Sequence, residues 1–523
     1  METERKVIPI RTEKFDVSGD VERLIQQTEQ LYCEDDLPWV VGYSGGKDST
    51  ATLQILWLAL ARLPIAKRTK PVHVISTDTL VENPVVAAWV NVSLDRMRVA
   101  AQVQRLPLEP HRLTPSLSDR YWVNLIGRGY PAPRPKFRWC TSRLKINASN
   151  KFIREVADEH GEAILVLGSR KQESDARKRV LANYEKSTRE LLSRNGDPKL
   201  DRVWVYTPIS HWSNDDVWEF LVTVENPWGY SNQDLFSMYR GATADAECPL
   251  VVDTSTPSCG DSRFGCFVCT LVDKDKSMQA MIQNDEEKRW MLPLAELRNK
   301  YLEVKEDRVH REFRRMDGSL TAFTNSRGET TLVHGPYKQS YREELLRAVL
   351  KAQSAVRSGA VQLGRSDLER FQLITPEEIE EIRRIWIQDK HEIEDSVPRI
   401  VEEATGEEYP YRSADDNRMF SSEDMQLLKE MARTPTDQDD LHFQLVRELL
   451  HVEQGYRTAS RRAGIYEALE RALERGAFTD EKEALAFAIA RQSKGIEQPV
   501  GQYGVDPETI ELQLGVNQER SET

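Results

Sequence analysis

The run Trp39-Val40-Val41-Gly42-Tyr43-Ser44-Gly45-Gly46-Lys47-Asp48-Ser49 constrains this chain more than any other stretch. An apolar segment of strand type ends on a six-residue polar loop. Apolar positions around Leu53, Leu56 and Leu60 then recur at helical spacing, so residues 48–62 read as a helix. A strand feeding a helix through so short a loop belongs to an α/β architecture. At such a junction the first backbone N–H groups of the helix and its dipole favour an anion. Gly45 and Gly46 let the backbone approach phosphate closely, Lys47 adds a point charge, and Ser44 and Ser49 add hydroxyl donors. The loop is not a Walker A loop, which carries Gly-x-x-x-x-Gly-Lys before Ser or Thr. Here the lysine follows the glycine pair and Asp48 comes next.

Further apolar runs at 72–76, 163–168 and 203–206 read as strands, and helical patterns lie between them. That alternation predicts a mostly parallel sheet with helices on both faces. A helical pattern also surrounds Val21, Leu24 and Ile25. Three prolines make 130–140 a loop, and from about Met278 the chain reads as largely helical, most clearly over 341–356, 376–386 and 461–475. The expected division is an N-terminal helical segment (1–34), the α/β domain (35–240), a cysteine-rich segment (241–277), a mainly helical region (278–496) and a polar tail (497–523).

A formal net charge of −13 excludes a globally basic nucleic-acid coat. The charge is uneven, however. Residues 121–200 carry 17 Lys and Arg against 9 Asp and Glu, whereas 361–523 carry 20 against 36. A basic groove in the first domain with an acidic region behind it fits this split, as do solvated helix faces. The start, Met1-Glu2-Thr3-Glu4-Arg5-Lys6, lacks an apolar run with a cleavage site. The most apolar stretch, 51–66, is broken by Gln54 and Arg62 and is too short to span a bilayer. The expectation is a cytoplasmic protein with no membrane partner.

Four of the six cysteines, Cys248, Cys259, Cys266 and Cys269, fall within 22 residues rich in Gly, Ser, Thr and Pro. Little apolar content is available there to hold a loop in shape, and a metal centre would fix it. Four thiolates suit structural zinc or an iron–sulfur cluster, and the spacing matches neither a paired zinc ribbon nor a ferredoxin run. Cys140 lies among Arg138, Arg143 and Lys145, a basic context that favours thiolate. Cys33, before the first strand, reads as structural.

The hexapeptide 44–49 resembles the PP-loop of the ATP pyrophosphatase superfamily. The resemblance implies a Rossmann-like adenine nucleotide alpha hydrolase domain. It also implies that ATP is cleaved between its α- and β-phosphates, leaving AMP on a substrate oxygen. A loop that holds the β- and γ-phosphates stabilises pyrophosphate as the leaving group. Three more segments resemble the phosphoadenylylsulfate (PAPS) reductase branch, so that the likeness covers roughly 35–240. Ser76-Thr77-Asp78-Thr79 follows the second strand, where Asp78 is placed to touch nucleotide or metal. The run from Gly168 to Arg177 supplies Arg170 and Arg177 for phosphate, with Glu173 to orient one of them. Thr207-Pro208-Ile209, with Trp212 and Asp215-Asp216-Val217-Trp218, resembles the segment that closes the sheet, and both tryptophans read as packing residues.

The whole chain is similar to the ATP pyrophosphatases of bacterial DNA phosphorothioation. The carriers are the loop 44–49, the run 76–84 and the segment 259–269, Cys-Gly-Asp-Ser-Arg-Phe-Gly-Cys-Phe-Val-Cys. That resemblance implies an iron–sulfur insert holding a 4Fe–4S cluster on Cys248, Cys259, Cys266 and Cys269. ATP and Mg²⁺ would be the other cofactors. Ser44, Gly45, Gly46, Lys47, Asp48 and Ser49 would bind the pyrophosphate moiety, with Asp48 reaching Mg²⁺. Cys140 would handle sulfur or replace Cys248 as a ligand. Lys136, Arg138, Arg143 and Lys145 would contact the DNA backbone. The partners implied are DNA, a cysteine desulfurase as sulfur donor and the other proteins of the same system. Rival expectations are a reductase of adenylylated sulfate, an RNA thiolation enzyme and a non-catalytic iron–sulfur scaffold. The reductases also use a catalytic cysteine near the C-terminus, and this sequence has none after Cys269.

Overall fold

The computed structural model describes residues 17–135, 137–171, 191–242, 264–304, 306–325, 327–392, 394–410, 422–432, 441–457, 462–476, 478 and 480–493. The chain divides into two compact units. The first comprises Met1–Pro115, Arg143–Val268 and Asp275–Arg289, and the second comprises Ser116–Ser142, Cys269–Lys274 and Trp290–Thr523.

The first unit is built on a six-stranded sheet. Its strands are β1 (Trp39–Gly42), β2 (Val72–Thr77), β3 (Leu108–Leu113), β4 (Ala163–Val166), β5 (Ser193–Arg194) and β6 (Val203–Tyr206), in the order β3-β2-β1-β4-β6-β5. All pairings are parallel except β5 with β6. Helices α1 (Val17–Glu34), α2 (Lys47–Arg62), α3 (Pro84–Val103) and α4 (Asn147–His160) cover it. Alternation along β1 sorts the faces. Trp39 and Val41 join the core with Leu53, Leu56 and Trp57 of α2 and Val90 and Met97 of α3, while Val40 packs with Ile153 and Val156 of α4. Trp212 and Trp218 are buried with Ala51, Ile55 and Ala59 of α2, which gives them the packing role expected. The α/β layering expected from the sequence is present.

Strand β3 escaped the sequence pattern because Leu108-Glu109-Pro110-His111-Arg112-Leu113 is polar and contains a proline. As the sheet's outermost strand it tolerates a residue without an N–H. Cys33 also departs from expectation. It is exposed on α1, pointing away from the core that takes its neighbours Leu31 and Tyr32.

The second unit is largely α-helical. Its long helix Gln339–Gln362 packs against Leu292–Leu297 and Val397–Thr405. Pro376–Arg384 opens on a capping box in which Thr375 and Glu378 satisfy each other's backbone N–H. Segment 116–142 is tied into this unit by tryptophans: Trp122 Nε1 donates to Leu373 O at 2.7 Å and Trp386 Nε1 to Ile126 O at 3.0 Å. A hairpin of β7 (Ala322–Thr324) and β8 (Thr330–Leu332) interrupts the helices. Strands of three residues are too short to show a period in sequence. Among the described residues, no helix is long and apolar enough to cross a membrane.

Candidate functional site

The strand order reverses at β1. The connections through α2 and α3 run one way across the sheet to β3, and β4 then lies on the other side of β1. Ligands of open α/β sheets bind at the carboxyl ends of strands at such a switch point. Two of the motifs read from sequence meet there. The loop 44–49 follows β1, and Gly168 to Arg170 follow β4.

Gly45 has φ of +73°, and a Cβ there would stand 2.4 Å from Val90 Cγ2, so the position favours glycine on both counts. Gly46 then caps α2 with no side chain of its own to bond the helix amides. That leaves the N-terminus of a 16-residue helix open to an anion rather than closed by a Ser or Asp cap. Ser49 steadies the loop from inside: its Oγ donates to Gly46 O at 3.0 Å and accepts from Ser44 N at 3.2 Å. The Ser44 and Ser49 hydroxyls are 3.1 Å apart.

Asp48 is gripped by two cations. Arg170 Nε donates to its Oδ1 at 2.6 Å, and Lys47 Nζ lies 3.2 Å from its Oδ2. Arg170 is only 4% exposed and its Nη1 also donates to Trp212 O at 3.3 Å. The arginine read from sequence as a phosphate cation is thus seated on Asp48, and Asp48 positions Lys47 at the loop. Gly168 makes the approach possible, since a Cβ there would lie 2.7 Å from Asp48 O and 3.0 Å from Ser49 N. Backbone cannot yield as a side-chain tip can. Gly168→Ala is therefore expected to push the start of α2 aside, destabilising the fold by about 1–3 kcal/mol and weakening ATP binding at the displaced loop. An ATP titration reads this directly, and unchanged affinity would separate the helix start from nucleotide binding.

Tyr239 is a site residue that the sequence did not reveal. Its hydroxyl accepts from Lys47 N at 3.3 Å, and burial pushes its phenol well above the ordinary range, so it stays neutral. The Tyr239 ring meets Phe264 edge-on at 4.6 Å. Phe264 opens a segment that docks on 79–83. Asn83 N donates to Gly265 O, Phe267 N donates to Val81 O, and Thr79 Oγ1 is 3.4 Å from Cys266 Sγ. Cys266 therefore sits beside the run 76–84, at the carboxyl end of β2. No local motif links Tyr239 or Phe264 to the loop, because the pairing is long-range.

Asp78 accepts from Leu80 N at 2.8 Å and from Arg112 Nε at 3.1 Å, so its carboxylate shapes the turn after β2. Glu82 is raised above the usual carboxylate range by burial, opposed by Lys145, whose Nζ is 3.6 Å away. Arg143 and Lys145 belong to the first unit. Arg138, Cys140 and Cys269 belong to the second. Cys140 and Cys269 are half-buried and outside any disulfide, and Cys269 O accepts from Arg298 Nε at 3.0 Å. Lys136, Glu173, Arg177, Cys248 and Cys259 lie outside the described residues. Among the described residues, one further group of metal-ligating type is brought together, His73, Glu109 and His111. It arises from the register of β2 and β3, which sequence spacing does not display.

The family model described as the phosphoadenosine phosphosulfate reductase domain matches residues 38–228. An uncharacterized protein of Methanocaldococcus jannaschii is 24% identical over 236 residues, 45% of this chain and 37% of that protein. The chain thus matches well under half the length of that curated relative. Two solved structures of Candida glabrata FMN adenylyltransferase also align. The complex with FAD and inorganic pyrophosphate is 14% identical, covering 46% of this chain and 67% of that one at a TM-score of 0.25. The complex with FMN and the ATP analogue AMPCPP is 15% identical, covering 46% and 68% at a TM-score of 0.25. Scores this low carry no argument. The family match spans the sheet from β1 to β6, the start of α2 and the glycine-lined turn after β4. Residues 38–228 are accordingly a PAPS-reductase-like PP-loop domain, a nucleotide-binding module.

Proposed function

We propose that this chain is an ATP pyrophosphatase of the DndC type, which adenylates a DNA backbone phosphate so that sulfur can replace one of its non-bridging oxygens. The observation that carries the reading is the loop after β1, with its left-handed Gly45, an α2 start that lacks a Ser or Asp cap, and Lys47 fixed by Asp48. A non-bridging DNA oxygen attacks the α-phosphorus of ATP, and the bond to the β-phosphate breaks. The helix amides and Lys47 take up the charge of the departing pyrophosphate. Sulfur from a cysteine desulfurase, carried as a persulfide, then attacks the DNA phosphorus. AMP leaves with the original oxygen, and a thiol reductant cleaves the remaining S–S bond.

In this reading Ser44 to Ser49 cradle the β- and γ-phosphates, Arg170 fixes Asp48, and Glu173 and Arg177 position the activated phosphate. Asp78 borders the nucleotide, and Asp48, which also faces Arg170 and Lys47, would help hold Mg²⁺, whose charge would offset that of the phosphates. Cys140 is the sulfur-handling thiol. Lys136, Arg138, Arg143 and Lys145 hold the DNA backbone. Cys248, Cys259, Cys266 and Cys269 would hold a 4Fe–4S cluster. Thiol donors suit it, and the cluster would lock a segment with little apolar content. DNA, the desulfurase and companion phosphorothioation proteins are the partners.

The family description supports a second reading, reduction of a sulfonucleotide. One experiment separates them. Protein is incubated with ATP, DNA, a desulfurase and reductant, with RNA in place of DNA in a parallel arm. The expected products are AMP and pyrophosphate in a DNA-dependent reaction, together with nuclease-resistant linkages. Sulfite from PAPS and thioredoxin, with ATP cleavage indifferent to DNA, establishes the reductase instead. Sulfur entering only RNA would redirect the proposal to RNA thiolation.

A further inference from the structure

The alternation of β2 and β3 puts three ligating side chains on one face of the sheet. Val72, Val74 and Leu108 point into the core shared with α2 and α3. Their neighbours His73 and Glu109 pair directly across the parallel ladder, and His111 stands two residues beyond Glu109. All three therefore face the α4 side, where Phe152 of α4 lies against both imidazoles at 5.6 and 4.9 Å.

The donor atoms form a compact triangle. His73 Nδ1 is 3.1 Å from His111 Nε2 and 3.3 Å from Glu109 Oε2, and His111 Nε2 is 3.8 Å from Glu109 Oε2. A tetrahedral ion with ligands at about 2.0–2.1 Å needs ligand–ligand edges of roughly 3.3–3.4 Å. The triangle brackets that length without any backbone movement. Imidazole and carboxylate are the ligand types of zinc sites, and a fourth position is left for water. Glu109 is 59% exposed and His111 32% exposed on the edge strand, which gives the ion a way in.

We propose that His73, Glu109 and His111 bind one divalent transition-metal ion of the zinc class, independently of the nucleotide and of the cysteines. His73 and Glu109 are the second residues of their strands, whereas the phosphate loop stands at the opposite, carboxyl end of the sheet. The ion is a clamp that joins edge strand β3 to β2, not a participant at the PP-loop.

The test is a Co²⁺ titration of the anaerobically purified full-length protein. Cobalt on thiolates shows a sulfur-to-metal charge-transfer band, whereas cobalt on imidazole and carboxylate shows only d–d absorption. The expected result is one equivalent of cobalt that adds d–d absorption without charge transfer and is displaced by Zn²⁺. His73→Gln and the surface substitution Glu109→Gln should each weaken it by more than the roughly 10–100-fold that losing an outer-shell partner costs. Any charge-transfer band stays unchanged in these variants. Zn²⁺ should raise the melting temperature of the wild type and not of Glu109→Gln. Cobalt that binds only with the charge-transfer band, or binds Glu109→Gln as tightly as wild type, overturns the proposal and leaves the triad as a hydrogen-bonded pair of histidines.

Discussion

Lys47→Ala is expected to slow AMP and pyrophosphate release by about 10²–10³-fold, the 2.7–4 kcal/mol that removal of one preorganised donor costs at a site of developing charge. The ammonium sits at the start of α2 and is held 3.2 Å from Asp48 Oδ2. In the proposed reaction its charge would thus be in place before pyrophosphate departs. The loss should fall on kcat more than on KM, because the helix amides still bind the ground-state phosphates. Folding should be nearly unaffected, since Asp48 keeps Arg170 as a partner. Lys47→Arg should not restore the rate, because a planar guanidinium cannot reproduce a compact point charge in a closed loop. If ATP cleavage disappears while sulfur incorporation continues, the chain is a non-catalytic scaffold and the proposed chemistry fails.

The second large effect is on stability. Arg342 and Glu392 are 1% and 4% exposed in the second unit and form a bidentate pair, with Arg342 Nη1 3.2 Å from Glu392 Oε2. Arg342 Nε donates to Tyr337 O at 3.0 Å, and the guanidinium stacks near the Trp386 ring. Arg342→Ala leaves a buried carboxylate without its bidentate partner, with the Lys390 ammonium nearby, and a carbonyl without its donor. The expected cost is about 3–5 kcal/mol. A denaturant series on the full chain should show an early transition that wild type lacks, since chains with more than one core need not unfold in one step. Adding Glu392→Ala should recover part of the loss, because the stranded charge is gone. Equal losses in the single and double variants would mean that packing, not the ion pair, carries the stability.

The sequence made part of this legible. The 44–49 hexapeptide after an apolar run located the strand–loop–helix junction, and the alternation of runs implied the parallel sheet. Both signals are local. Arg170 was visible as a cation near the site, but not the direction of its guanidinium, which the structure seats on Asp48. Tyr239 was silent because its partner is Lys47, far away in the chain. Pro110 and its charged neighbours disguised β3, and with it the register that gathers His73, Glu109 and His111. The loop read at 130–140 is irregular over its described residues up to Arg138, with Trp139 and Cys140 already helical, and its sequence does not reveal that Ser116–Ser142 builds the helical unit.

That interleaving has a consequence for synthesis on the ribosome. Helix Lys276–Asn284 packs on Asn232–Gly241, and Met281 Sδ accepts from Asn83 Nδ2 at 3.8 Å, so the first unit is not complete until residue 289 has emerged. By then its sheet has been waiting for a polypeptide length equal to a whole small domain. A nascent chain stalled at 240 carries every strand of the six-stranded sheet but leaves that helix-packing surface bare, the kind of exposed face that chaperones bind.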